Sequence, residues 1–572
     1  LKTSIVILTY NKLEYTQQCI ESIREYTEQG TYEIIVVDNN STDDTPNWLR
    51  KQNDLHVIYN SENLGFPKGC NQGMEVSTGD QILLLNNDTV VTKNWLSNLV
   101  TCLYSEPTIG AVGSITNSCS YYQSIDTAYK NMSEMQAFAQ QINNSNPSMW
   151  EERLKLVGFC MLFKRSAMDQ IGLLDERFTP GNYEDDDYSL RLRRAGYKLM
   201  LCRDSFIHHY GSVSFGENSE RFSAVLHENK KRFIEKWGFI PGESEIIKHE
   251  LIQLIQEPQD SPVSILELGC GRGGTLLKLR NVFRNSILYG VEDQPVALID
   301  VKSVATGCGT AADMNALLEN QVFDYIILKE LPATVEDAAV YLRRLLKYLK
   351  PQGHLLTSIY NLSHFSVIKD LCQNRFSGHR KNTFSFGEIE RIFHEAGYTR
   401  TIMSATVLNE SQEDKRYIEQ LCKMNHHTEH RQQYVIYLFH VKAGQEASIK
   451  TDIISLLESI NKEEDALPLV KLLHEYEYGY VIECVNSVSV NKVSLLNKIA
   501  VYSYYLEKYE YALHLLQHAY GMDRHNSDTL YNLASVCNQL GDKKLALELV
   551  TLIPKQDSPE VMQLKELITV QG

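Results

Sequence analysis

The chain contains no uninterrupted apolar run of about 18 residues, so no segment reads as a membrane-spanning helix. It has no C-x-x-C pair either. Its 12 cysteines are scattered singly from Cys19 to Cys537, which excludes a disulfide framework and the usual zinc spacings and predicts a reducing, cytoplasmic setting. Positive charge is in deficit: the formal net charge of −16 argues against a chain whose main task is to neutralise nucleic acid phosphates, so no direct nucleic acid partner is expected. The first strand-like run, Thr3–Leu8, begins almost at once, and a soluble protein is expected.

What is present is length and apolar residues. With 572 residues, 43% of them hydrophobic, the chain is long enough for three or four packed domains at about 150 residues each. From residue 1 to 241, short β-branched runs (Ser4–Leu8, Glu33–Val37, Leu55–Tyr59, Gln81–Leu85, Ala111–Ser114 and Leu156–Lys164) alternate with amphipathic patterns such as Leu13–Thr27. That alternation predicts an α/β sheet with crossover connections. A second α/β unit opens at Val263–Leu268 and closes with Tyr434–Val441, giving a domain over 242–443 bounded by Pro241-Gly242 and the Glu257–Pro262 stretch. From 444 to 572 the patterns are helical only, and the sequence matches itself at a spacing of 34 residues: Ala500 with Ala534, Leu506 with Leu540, Ala512 with Ala546, Leu515 with Leu549. This is the tetratricopeptide period.

Two acidic islands carry the chemistry. Asn86-Asn87-Asp88 ends a buried strand pattern, where a carboxylate can hold a divalent cation; Glu184-Asp185-Asp186-Asp187 opens a helical pattern, where a carboxylate can act as a base. Such a pair suits sugar transfer from a nucleotide donor. The plainer reading of the second island is a solvated helix start in which Asp187 pairs with Arg191. Thr9-Tyr10-Asn11 and Asp38-Asn39-Asn40 sit at the carboxyl ends of neighbouring parallel strands, where open α/β sheets bind ligands. Asp38 is placed to accept hydrogen bonds from a base, with Thr9 and Tyr10 walling the ring. Asn63-Leu-Gly65 and Asn71-Gln-Gly73 read as turns allowing close backbone approach.

These segments, together with Tyr183–Tyr197, occur in the order found in inverting glycosyltransferases of family 2 with the GT-A fold, and the chain resembles that family over its first 200 or so residues. The resemblance implies that Asp88 ligates Mn²⁺ or Mg²⁺ and that Asp185 is the catalytic base. It also implies nucleotide-sugar contacts from Thr9, Tyr10, Asn11, Asp38, Asn63, Gly65, Asn87, Asp88 and Glu184. His208 resembles the late metal ligand of such enzymes, with His209 the second choice. Asn86 stands where the family's metal motif has its first aspartate, leaving one charge fewer on the metal.

The middle domain resembles class I methyltransferases dependent on S-adenosylmethionine, through Glu267-Leu-Gly269-Cys-Gly271-Arg-Gly273 after one strand and Glu292 at the end of the next. The resemblance implies that Glu267, Gly269, Gly271, Gly273 and Glu292 contact such a cofactor. Thr334 and Gln352 depart from the family pattern, and a retired methyltransferase kept as a spacer or docking unit is the alternative. His426, His427 and His430 lack cysteine or carboxylate companions at ligand spacing and predict a polar loop.

The predicted architecture is therefore α/β: an N-terminal GT-A nucleotide-sugar domain, a central Rossmann-like methyltransferase-type domain and C-terminal all-α tetratricopeptide repeats. The three-part arrangement is similar to the flagellin O-linked N-acetylglucosamine transferases of Gram-positive bacteria. It implies transfer of GlcNAc from UDP-GlcNAc to Ser or Thr of a protein acceptor, flagellin, with a motility repressor as a second partner of the helical repeats. Two alternatives remain. One is assembly of a surface polysaccharide or glycolipid, although the absence of a Q-x-x-R-W motif argues against a processive polymerase. The other is a chiefly regulatory protein-binding scaffold.

Overall fold

A computed structural model describes residues 1–211, 219–375, 382–424, 431–462, 466–474 and 476–570. His426, His427 and His430 lie outside the described residues. The chain divides into two compact units, Leu1–Ile252 with Pro258–Glu319, and Gln253–Glu257 with Asn320–Gly572. The sequence boundary at Pro241-Gly242 falls inside the first unit.

The first unit begins with β1 (Thr3–Thr9), β2 (Tyr32–Asp38), β3 (Leu55–Tyr59), β4 (Gln81–Asn86) and β5 (Thr89–Val90). It continues with β6 (Ile109–Ile115), β7 (Trp150–Arg153), β8 (Cys160–Lys164), β9 (Lys198–Phe206) and β10 (His208–His209). The main sheet runs β3-β2-β1-β4-β8-β6-β9-β7. β3, β2, β1 and β4 are parallel to one another, and β8 lies antiparallel to β4. Both faces of this sheet are covered, which is why its strands are almost continuously apolar. Ile5, Ile7, Leu83 and Leu85 point to one side, where Cys19, Ile20 and Ile23 of the helix Leu13–Tyr26 meet them. Val6, Ile82 and Leu84 point to the other, against Cys70 and Met74 of the helix Phe66–Val76.

Two sequence expectations give way here. Asn71-Gln-Gly73 is helical rather than a turn, and Gly73 is needed for packing: a Cβ there would stand 2.4 Å from Val6 Cγ1. The run from Leu156 becomes a strand only at Cys160, because side chains capture the intervening amides. Leu156 N–H donates to Ser189 Oγ (3.1 Å), Val157 N–H to Gln123 Oε1 (2.7 Å) and Gly158 N–H to Asp185 Oδ2 (2.9 Å). An amide bound in this way is withdrawn from the ladder.

The same unit contains β11 (Ser264–Leu268), β12 (Ile287–Val291) and β13 (Gly307–Gly309), with β12 parallel to both of the others. The helix Gly274–Val282 follows β11 after a glycine-rich turn.

The second unit contains β14 (Phe323–Leu328), β15 (Leu349–Asn361), β16 (Thr383–Phe384), β17 (Arg400–Val407) and β18 (Ile436–Gly444). β15 pairs parallel with β14 and β16 and antiparallel with β18, which in turn carries β17. Thr334 caps the helix Val335–Leu345, its hydroxyl accepting from Asp337 N–H at 3.1 Å. β11 to β18 supply the strands of the central Rossmann-like methyltransferase region.

Among the described residues from Glu446 onward, every regular element is a helix. Lys492–Tyr505 and Tyr509–Met522 form one antiparallel-type pair by their short connection, Ser527–Gln539 and Lys543–Thr551 the next. The pairs match in detail. Ala500, Ala512 and Leu515 are buried, as are Ala534, Ala546 and Leu549 at the same 34-residue offset. Glu507 and Gly541, also equivalent, both adopt positive φ (59° and 91°) at the turn between helices. The closing hydrogen bonds repeat as well: Lys508 N–H donates to Ser503 O and Asp542 N–H to Cys537 O, each at 2.9 Å. Leu506 and Leu540 do not share an environment, since Leu540 is 43% exposed while Leu506 packs partly on the core.

Candidate functional site: a sheet edge with two acidic islands

The carboxyl ends of β1, β2 and β4 form one edge of the main sheet, in register at Thr9↔Asp38 and Leu8↔Asn86. Asp38 is buried and accepts from Ser41 N–H through Oδ1 at 3.2 Å. Asn11 ties the two loops together, its N–H donating to Ser41 Oγ (2.7 Å) and its Oδ1 accepting from Thr42 N–H (2.7 Å). Tyr10 is 42% exposed beside them. Thr9 is buried, sharing a hydrogen bond with Thr16 at 2.7 Å, and Asn87 Nδ2 donates to the same Thr16 hydroxyl at 3.0 Å.

Asn39 links this edge to the next loop. Its Nδ2 donates to Asn63 Oδ1 (2.9 Å), its Oδ1 accepts from Leu64 N–H (3.0 Å), and Asn63 Oδ1 also accepts from Gly65 N–H (2.9 Å). Gly65 has φ 80°, and a Cβ there would lie 2.9 Å from both Pro180 Cα and Thr179 Cγ2, so glycine is required by conformation and by space. Phe66 N–H donates to Pro180 O at 2.8 Å, joining this loop to the segment that precedes the second acidic island.

Asp88 is 7% exposed and lies two residues past the end of β4. The short pair β5/β10 sets His209 opposite Thr89 and His208 opposite Val90. His209 Nε2 lies 3.2 Å from Asp88 Oδ1, and its Nδ1–H donates to Ser118 O at 2.7 Å. Burial opposes a charge on His209, but the Asp88 carboxylate and the Ser118 carbonyl outweigh it and raise its pKa. His208 has a different environment. Its Nδ1 pairs with the Tyr129 hydroxyl at 2.6 Å, while its Nε2 is buried with no hydrogen-bond partner. Burial, reinforced by the neighbouring His209, lowers the His208 pKa and keeps the imidazole neutral, as a metal ligand must be.

The second island opens the helix Glu184–Arg194, with all four acids in its first turn. They do four different things. Asp185 is held by two amides, Gly158 N–H to Oδ2 and Asp186 N–H to Oδ1, each at 2.9 Å. Asp186 pairs with Lys155. Asp187 is fully buried and bound by Arg191 Nε–H (2.8 Å), Trp237 Nε1–H (2.9 Å) and Lys236, so it holds the helix in place. Glu184 is 6% exposed, and its Oε2 has no partner.

Burial, with added repulsion from Asp185 and Asp186, drives the Glu184 pKa well above the ordinary carboxylate range. A folded-state pKa above the unfolded one means that this group's contribution to stability is full below the unfolded pKa and is lost as pH rises through the folded one. Glu184→Gln cannot ionise. Its Tm should exceed the wild type's by roughly 2–4 °C at about pH 8, and the difference should fade toward about pH 4. Thermal melts at the two pH values check this; an equal difference at both would contradict it.

The two islands meet the sheet at one place. β4 and β8 pair antiparallel at Leu85↔Cys160, so the end of β4 that leads to Asp88 lies beside the turn that opens β8. Asn86 N–H donates to Phe159 O at 2.9 Å, and the Phe159 ring stacks on His209 with centroids 5.1 Å apart. The adjacent Gly158 amide holds Asp185. Asp88, His209, Phe159, Gly158 and Asp185 thus form a continuous series of neighbours. The sequence motifs contain Asn39 and Gly158 but assign neither a role of its own, omit Lys155, and rank His209 second. The unusual Gly158-Phe159 before a strand was the available signal.

Among the described residues, no three His, Cys, Asp or Glu side chains gather as a metal site. The Asp88 carboxylate and the unpartnered Nε2 of His208 are the groups near this strand end whose chemistry suits a divalent cation. The unpartnered Nε2 of His208, oriented through its other nitrogen by Tyr129, is the arrangement expected of an imidazole ligand.

The methyltransferase-like motif shows a poorer fit to a cofactor. Gly269, Gly271 and Gly273 have φ of 72°, 54° and 86°. A Cβ on Gly271 would lie 2.5 Å from Ser244 O, and one on Gly274 2.5 Å from Glu245 O, so the chain's own backbone fills the cradle. Glu292 accepts from Gly271 N–H (2.8 Å) and Gln294 N–H (3.1 Å). Glu267 is buried, with Oε1 bound by Lys248 Nζ at 2.7 Å and Oε2 without a partner.

The sheet order defines a GT-A-like α/β domain. The family model for Glycosyl transferase family 2 matches residues 4–172, and that for a methyltransferase domain matches 243–401, so the chain carries a family 2 glycosyltransferase domain fused to a methyltransferase-like one. Among curated relatives, protein y4gI of Sinorhizobium fredii is 26% identical over 252 residues, 40% of this chain and 27% of that protein. The low-salt glycan biosynthesis hexosyltransferase Agl10 of Haloferax volcanii is 25% identical over 211 residues, 35% of this chain and 64% of its own length. The chain thus spans less than two thirds of each of these relatives. A solved mannosyltransferase of Pyrobaculum calidifontis, in complex with GDP-Man and Mn²⁺, is 19% identical with a TM-score of 0.32, covering 41% of this chain and 64% of its own.

Proposed function

We propose that this chain is a metal-dependent, inverting glycosyltransferase that moves a sugar from a nucleotide donor to a protein acceptor. UDP-GlcNAc is the proposed donor and Ser or Thr of flagellin the proposed acceptor. The observation that carries the reading is the series from Asp88 to Asp185 along one sheet edge, with unpartnered buried polar atoms on Glu184 and His208 beside it. Buried polar atoms without partners are uncommon in folded chains and are readily explained where a polar ligand binds.

In this reading, Asp38 and the Asn11–Ser41–Thr42 loop receive the nucleoside. Asp88 and His208 would hold Mn²⁺ or Mg²⁺, which when bound neutralises charge on the departing diphosphate. Asp185, aimed by the amides of Gly158 and Asp186, takes the proton from the acceptor hydroxyl. That oxygen forms its bond to the anomeric carbon as the bond to the diphosphate breaks on the opposite face, so the configuration inverts. Glu184, whose buried carboxyl resists ionisation, is placed to share a hydrogen bond with a sugar hydroxyl or the acceptor.

The protein acceptor rests on the all-α region: helix pairs stacked at a 34-residue period present surfaces that bind polypeptides, and we assign them to the tetratricopeptide class. The same surface would take the motility repressor. No helix among the described residues is long and apolar enough to cross a membrane. The similarity to Agl10 favours a second reading, single sugar additions during glycan assembly.

One experiment separates them. Purified protein is incubated with Mn²⁺, a panel of nucleotide sugars and either flagellin or a lipid-linked acceptor, and the products are weighed by intact mass spectrometry. An increment of one N-acetylhexosamine on flagellin is expected. Modification of the lipid acceptor alone would replace the protein reading with the glycan one.

A further inference from the structure

Six buried or half-buried charges of alternating sign connect the acidic helix to the glycine loop of the methyltransferase-like region, all within the first compact unit. Asp186 pairs with Lys155, whose Nζ also lies 3.5 Å from Glu245 Oε2. Glu245 pairs through Oε1 with Arg272, and Arg272 Nε–H donates to Asp300 Oδ2 at 2.7 Å. Asp300 Oδ1 lies 3.6 Å from Arg194 Nε, and Arg194 is the last residue of the helix that Asp185 and Asp186 open. The series therefore leaves the first turn of this helix, passes through Arg272 and returns to its last turn.

Three acids and three bases cancel, which is what allows them to be buried together. Glu245, Arg272 and Asp300, at the middle of the series, are at most 3% exposed. The glycines beside Arg272 serve this contact. Gly271 and Gly274 lack the Cβ that would strike Ser244 O and Glu245 O, and Arg272 N–H donates to Ser244 O at 2.7 Å, so the loop grips the segment that carries Glu245.

From this geometry we infer that the glycine loop Gly269–Gly274 anchors the glycosyltransferase's acidic helix instead of cradling an adenosyl cofactor, and that Arg272 is a positioning residue for Asp185. Asp185 touches the series directly: its Oδ1 accepts the amide of Asp186, the first member. The inference rests on Asp185 acting as the base. It predicts that the two domains are one catalytic unit, with the methyltransferase-like half supplying order where its relatives would supply a methyl group.

The test compares the full chain with Arg272→Gln and Arg272→Lys. Hydrogen–deuterium exchange is read in peptides covering 154–160 and 183–190, and sugar transfer from UDP-GlcNAc is read as kcat and KM. Arg272→Gln should speed exchange in both peptides and lower kcat on the order of 100-fold with KM for the donor within about twofold; Arg272→Lys should restore most of both. If Arg272→Gln does not fold, Arg194→Met breaks the same series at its half-exposed end and is expected to act in the same direction. Unchanged exchange in these peptides would overturn the inference, as would calorimetric binding of S-adenosylmethionine to the full chain at micromolar concentration. Exchange is measured without substrate. A wild-type protein that turns over no nucleotide sugar would thus refute the proposed function while leaving the anchoring inference decided on its own readout.

Discussion

Asp185→Asn should lose about 100- to 10,000-fold in the rate of sugar transfer, the range expected when a positioned general base is removed. The substitution keeps the shape of the side chain and one carbonyl oxygen able to accept from Gly158 N–H or Asp186 N–H, so the helix start should remain folded. Nucleotide binding should persist, because the loop edge around Asp38 and Asn39 makes no contact with this carboxyl. Transfer rates, with nucleotide affinity by calorimetry as the control, check the expectation. A variant that retains wild-type rate would remove Asp185 from the chemistry and leave it as a helix-start residue. If a repressor protein binds the helical region, Asp185→Asn should bind it unchanged, which would separate regulation from catalysis.

The second large effect concerns the metal. Chelation should reduce transfer to background and added Mn²⁺ should restore it. Asp88→Ala should not be restored at any practical metal concentration, since it removes the one carboxylate at the proposed metal position. Tyr129→Phe tests the arrangement more finely. The phenol touches no proposed ligand except His208 Nδ1, at 2.6 Å, and losing such an orienting partner typically weakens metal binding about 10- to 100-fold. The variant should therefore need proportionately more Mn²⁺ for half-maximal rate while reaching a similar maximum. If His208 is not a ligand, the Mn²⁺ requirement of Tyr129→Phe will match that of wild type.

The parts of the fold most legible in the sequence were those fixed by local periodicity. β1, β2 and β4 are buried on both faces, so each appears as a nearly continuous apolar run and its limits follow to within about a residue or two. The helix pairs after residue 444 were visible because a stacked repeat must return its small residues, Ala512 and Ala546 among them, to equivalent crossings. Leu156–Phe159 misled because apolar composition does not reveal which amides are already bound. In this case Gln123, Ser189 and Asp185 hold them from distant parts of the chain.

The candidate site was legible as motifs and illegible as partnerships. Asp88 and Asp185 are recognisable from their place after a strand and at a helix start, whereas the division of labour among Glu184, Asp185, Asp186 and Asp187 depends on Gly158, Lys155 and Trp237. Adjacent histidines look alike in sequence. Only their different neighbours, Tyr129 for one and Asp88 with Ser118 for the other, distinguish a free nitrogen from an engaged one. The Lys155–Glu245–Arg272 series joins two sequence domains and carries no periodic signal at all.

The proposed transfer requires Asp88 and Asp185 to face one bound sugar nucleotide. The most direct measurement is a crystal structure of the full chain with UDP-GlcNAc and Mn²⁺, with the metal located by anomalous scattering. The predicted result is manganese on Asp88 and His208 bridging the diphosphate, with the sugar's anomeric carbon turned toward Asp185. A nucleotide bound elsewhere, or one whose sugar is separated from Asp185 by packed side chains, would contradict it.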